Sequence, residues 1–100
     1  MSKKTFIITF DPSDPSADVP GLLDFIQTTS MFDSWWNHIP AVFMVTSEMR
    51  ARDISDALRR YTKNARMLVV EANPAESEGW LPDKSWTWVR KRSAEKPVAA

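Results

Sequence analysis

The residue of this sequence best placed for chemistry is Asp11, which ends the apolar run Phe6-Ile7-Ile8-Thr9-Phe10 and is followed at once by Pro12. A carboxylate held at the carboxyl edge of a sheet can ligate a divalent cation that activates water or neutralises a phosphodiester. The same side chain can simply close a turn ahead of the proline by accepting nearby amides, and both readings are open. Asp14 and Asp18 add carboxylates, but their spacing lacks the glycine and terminal glutamate of an EF-hand loop, so they read as turn and cap residues. His38 is the single histidine and cysteine is absent, which excludes a zinc site built on several imidazoles or on thiolates. No nucleophile motif accompanies His38, so it reads as a structural or surface histidine. Two glycines are too few for a Rossmann or Walker loop.

The cations and tryptophans offer a different chemistry. Arg50, Arg52, Arg59, Arg60, Lys63 and Arg66 have the spacing of a solvated helix face. Gathered on one side of the molecule, Arg59, Arg60 and Lys63, with Arg90 and Arg92, would form a nucleic-acid footprint. Five tryptophans fall in two places, Trp35-Trp36 and Trp80-Trp86-Trp88. Beside Arg90, Lys91 and Arg92 the second group could stack on bases, whereas tryptophan also serves as a buried anchor in cores and subunit interfaces. Formal net charge is zero, yet residues 1–48 carry two lysines against six carboxylates and residues 49–100 carry eleven cations against seven. Such a split can join opposite surfaces of two copies or present a basic face to nucleic acid beside an acidic site.

The elements that must position these residues follow from periodicity. Residues 4–10 read as a strand apolar on both faces, stopped by Pro12, which cannot donate to a ladder. Asp18 or Ser16 can cap a helix carrying Val19, Leu22, Leu23 and Ile26 as one stripe, and Thr28-Thr29-Ser30 ends it. Two short strands, 35–39 and 42–46, are joined at Pro40. Ser47 can cap a second helix with Ala51, Ile54, Leu58 and Tyr61 on its inner face. Residues 66–72, with Met67-Leu68-Val69-Val70 at the centre, form a last core strand, terminated by Asn73-Pro74. A third, short helix is expected over 82–91, and Trp80, Leu81, Trp86, Trp88 and Val89 must dock, because they would otherwise expose too much apolar surface.

This order predicts an α+β domain, ferredoxin-like β-α-β-β-α-β, with an antiparallel sheet, two helices on one face and a short C-terminal helix. A single domain is expected over 1–92, with 93–100 a disordered tail that has little to bury. The longest apolar stretches fall well short of the roughly 20 residues of a membrane helix. Together with the lack of cysteine, this predicts a soluble cytoplasmic protein.

The stretches Phe6-Ile7-Ile8-Thr9-Phe10-Asp11, Trp36-Asn37-His38, Val42-Phe43-Met44-Val45-Thr46-Ser47, Arg66-Met67-Leu68-Val69-Val70-Glu71 and Gly79-Trp80-Leu81-Pro82 with Trp86 carry a resemblance. They are similar to a family of small uncharacterised prokaryotic proteins. The fold of that family is similar to the CRISPR-associated small metal-dependent endonuclease of spacer acquisition and to the virulence-associated toxin D ribonucleases. The resemblance implies a homodimer in which Asp11 of each copy shares a divalent metal such as Mg²⁺ as the catalytic centre. The nuclease family's arginine-rich stretch after the aspartate is here Pro12-Ser13-Asp14-Pro15, whose charge repels phosphate.

Two functions of different classes are therefore expected. One is a homodimeric protein associated with RNA or DNA, using Asp11 if it is catalytic. The other is a non-catalytic protein–protein interaction or assembly module, whose sheet edge and aromatic tail bind itself or a partner.

Overall fold

The computed structural model describes residues 3–95, with side chains through Lys91. Strand β1 (Lys4–Phe10) is followed by α1 (Val19–Thr28), β2 (Ser34–Ile39), β3 (Val42–Ser47), α2 (Ala51–Thr62), β4 (Met67–Ala72), a 3₁₀ turn (Pro74–Glu76) and α3 (Asp83–Glu95). The four strands form one antiparallel sheet in the order β2-β3-β1-β4. The α+β expectation is met. No helix among the described residues is long and apolar enough to cross a membrane.

Side-chain alternation on β1 divides the core. Phe6, Ile8 and Phe10 join Phe43 and Val45 of β3 on one face, where Leu22 and Ile26 of α1 and Ile54 and Leu58 of α2 close over them. Burying these side chains is worth about 2 kcal/mol each before conformational entropy is subtracted, and this layer is where the fold is anchored. The opposite face carries the registered row Trp36, Met44, Ile7, Val70 and the row Ile39, Val42, Thr9, Leu68. Its β2 side is covered by α3, which packs on β2 and on the 3₁₀ turn and sinks Val89.

Helix boundaries reflect local bonds. Asp18 caps α1, accepting from the Gly21 amide at 3.0 Å, while Ser16 donates to Asp14 instead. Ser47 does not cap α2. Its hydroxyl bonds the Met31 carbonyl at 2.8 Å and receives the Met49 amide, so it belongs to the sheet, and the helix opens four residues later with Arg50 at its cap position. Asp53 reaches back to the Arg50 amide. The expected inner stripe of α2 is seen: Ile54 and Leu58 are buried, and Ala51 and Tyr61 pack against the core.

The third helix runs through Glu95, past the expected end at 91 and into the segment expected to be a tail. Residues 96–100 of that tail, and the Arg92 side chain, lie outside the described residues. Of the aromatic segment expected to dock, Leu81, Trp86 and Trp88 are half-buried and Val89 is buried. Trp80 does not dock: it is 97% exposed, because the chain from Ser77 to Leu81 carries it along the rim of the sheet rather than under α3.

Candidate functional site

Asp11 leaves β1 with its amide bonded to the Arg66 carbonyl at 2.9 Å, which fixes it at the mouth of β4. Its Oδ1 accepts from the Ser13 hydroxyl at 2.6 Å and the Ser13 amide at 2.9 Å. These two bonds, with a smaller contribution from the Arg66 charge, hold the carboxyl below its ordinary value against a slight opposing effect of desolvation. Asp14 repeats the arrangement with Ser16, and Asp18 is the α1 cap. Each of the three carboxylates thus has one oxygen committed to its own turn. Among the described residues no group of three or more His, Cys, Asp or Glu side chains converges as a metal site. Within one chain this donor set does not fit Mg²⁺, which asks for near-octahedral oxygen coordination.

The basic residues are divided by the sheet. Arg59, Arg60 and Lys63 occupy the last turn and cap of α2, where cations favour the helix dipole. Arg66 follows just before β4. None of them is in an ion pair; the salt bridge among the described residues is Lys3 to Asp33, at 3.9 Å. Arg90 is on α3, across the sheet, with its guanidinium 6.0 Å from the Trp86 ring centroid. The structure therefore brings Arg59, Arg60 and Lys63 together and leaves Arg90 apart.

His38 has a partner that no sequence pattern disclosed. Its Nδ1 is hydrogen-bonded to the Oγ of Ser85, on the first turn of α3, and its ring is 5.3 Å from that of Trp36. Ser85 is completely buried, so its hydroxyl is closed to any substrate, and the pair fastens α3 to β2. This agrees with the reading of His38 as structural.

A concave surface lies on the α3 side of the sheet. A groove of about 380 Å³ runs between the sheet and the 77–81 segment. Ile7, Val42 and Met44 form its floor, Trp36 and Val89 its inner wall, and Trp80 its outer lip. Beyond the groove the same rows continue to β4, where Leu68 is 58% and Val70 42% exposed. β4 is an edge strand, and the exposed side of its Met67-Leu68-Val69-Val70 run carries no charge. Proteins usually blunt such edges with lysine, proline or a bulge. Sequence reading took Leu68 and Val70 for core. Apolar type alone cannot say that α3 leans toward β2 and leaves the β4 side uncovered.

No protein-family model, curated protein or solved structure matches this chain.

Proposed function

We propose that the protein is a non-catalytic interaction module whose working surface is the half-covered face of the sheet. The observation that carries this is the continuity of apolar surface from the groove through Val70 and Leu68 to the unpaired edge of β4, with Trp80 standing beside it almost fully exposed. A patch of this kind, rimmed by polar residues, marks a docking surface on small proteins. An exposed tryptophan is the residue type most often found at the centre of binding energy. The β-α-β-β-α-β succession and the order β2-β3-β1-β4 support reading the scaffold as ferredoxin-like, with α1 and α2 behind the sheet. The test is co-purification from the native cell of wild type against Leu68→Asp/Trp80→Ser. Both positions are exposed, so the variant should keep its melting temperature and lose the partner. Full retention of every partner by the variant contradicts the reading.

One observation favours a second reading, association with RNA or DNA. Arg59, Arg60 and Lys63 share the last turn and cap of α2 without ion-pair partners, and Arg66 follows beside Asp11. This surface would hold phosphates and bind in a salt-dependent way. Fluorescence anisotropy with labelled single- and double-stranded RNA and DNA at two salt concentrations separates the readings. Salt-sensitive binding lost in Arg59→Glu/Arg60→Glu supports nucleic acid, and no binding at low salt removes it for those substrates.

A further inference from the structure

We infer that the groove takes a short segment of a partner protein with an apolar anchor residue flanked by lysine or arginine. The inference rests on the interaction-module reading and adds the chemistry of the partner.

The groove is apolar at its floor and acidic at its rim. Glu76 and Glu78 line it, both exposed, and no Lys, Arg or His is among the lining residues. Its volume of about 380 Å³ is at the lower end of small-ligand sites and suits one or two large side chains rather than a whole domain surface. An apolar anchor seated in the groove therefore has its chain neighbours beside two carboxylates. Cations at those neighbouring positions are attracted, and acidic ones are repelled.

Other occupants fit less well. Trp36, Trp80 and Trp86 line the groove and offer stacking surface, but a nucleic acid would bring its phosphates beside the two carboxylates, which repel them. Two copies meeting through this face in a two-fold arrangement would each bring an acidic rim and no cation among the groove's lining residues, so neither groove offers charge that complements Glu76 and Glu78 of the other. The segment around Trp80 is itself flanked by Glu78 and Asp83, so it is the wrong charge to fill a neighbour's groove.

The test is selection of short random peptides displayed on phage against the full chain. Anisotropy measurements on the winning peptide then follow, using wild type and Glu76→Lys/Glu78→Lys. The selected peptides are expected to share a Leu, Ile, Phe or Trp with Lys or Arg within a few residues. Charge reversal at the two exposed glutamates should weaken binding roughly tenfold without moving the melting temperature. It should also improve binding of a peptide whose cations are replaced by glutamate. Peptides selected for apolar character alone, binding the reversed variant equally well, overturn the inference and leave the docking reading standing. Self-association of the chain that competes with every peptide and is abolished by Trp80→Asp also overturns it, by making a second copy the occupant. No peptide binding and no self-association overturns both.

Discussion

The Nδ1 of His38, at the bulged end of β2, is hydrogen-bonded to the fully buried Oγ of Ser85 on the first turn of α3, two residues 47 positions apart in the chain. With buried Val89 it fastens α3 over one half of the sheet, and this placement decides which apolar residues remain uncovered. Removing the hydroxyl leaves an imidazole nitrogen without its partner, so Ser85→Ala should lower stability by about 1 kcal/mol. Amide exchange should accelerate in α3 and stay unchanged in β1. Unchanged exchange in α3 would show that the bond does not hold the helix.

The turn between β2 and β3 stores strain in one residue. Ala41 has φ 64°, in the left-handed region that costs a side-chain-bearing residue about 1–2 kcal/mol. Glycine adopts this conformation freely but loses more freedom on folding, so Ala41→Gly is expected to raise stability by a net ~0.5–1 kcal/mol, measured by urea unfolding. A lower midpoint would mean that the packing of the Ala41 methyl against the core outweighs the backbone term.

Gly21 is held by a close approach. A Cβ there would lie 2.3 Å from Oδ2 of Asp18 and 3.0 Å from the Tyr61 ring. Although alanine is the better helix former, Gly21→Ala must push the Asp18 carboxylate off its cap bond and should destabilise the protein by about 1 kcal/mol. Thermal unfolding of Gly21→Ala and Asp18→Ala, alone and combined, checks the cause: the two losses should not add.

The lowered Asp11 carboxyl has a pH consequence. Because its folded value lies below the unfolded one, Asp11 favours the folded state above the ordinary aspartate value of about 3.9 and loses that contribution as pH falls through the folded value. Ser13→Ala removes the hydroxyl bond and keeps the residue-13 amide bond to Oδ1, so the Asp11 titration followed by carbon NMR should move part of the way up toward the ordinary value. An unmoved midpoint would assign the shift to the backbone amide instead.

How far the sequence discloses this molecule depends on the range of each interaction. β1 and the inner stripes of α1 and α2 are legible because a single run of residues carries their period, except that Val19, expected in the α1 stripe, stays exposed at the helix's first turn. The start of α2 is misread because Ser47 has the residue type of a cap, while its hydroxyl is spent on Met31, sixteen residues away. The end of α3 is missed because Ser93-Ala94-Glu95 has no apolar stripe to announce a helix and continues one on local preference. The groove is not legible at all. Leu68 and Val70 have the same character as Met67 and Val69, which pack against the core, and only the lean of α3 toward β2 separates the two pairs. Asp11 is legible as a residue at a strand end, and Ser13, two positions on, is the signal that favours its turn role.

The central claim, that the uncovered sheet face is the working surface, is tested most directly by site-specific photo-crosslinking in the native cell. A photoreactive amino acid is placed at Leu68 on that face and, in a separate variant, at exposed Arg52 on α2. The account predicts a discrete adduct with another polypeptide from position 68, none from position 52, and loss of the first when Trp80→Ser is added. Equal adducts from both positions, or an adduct from position 52 alone, would contradict it.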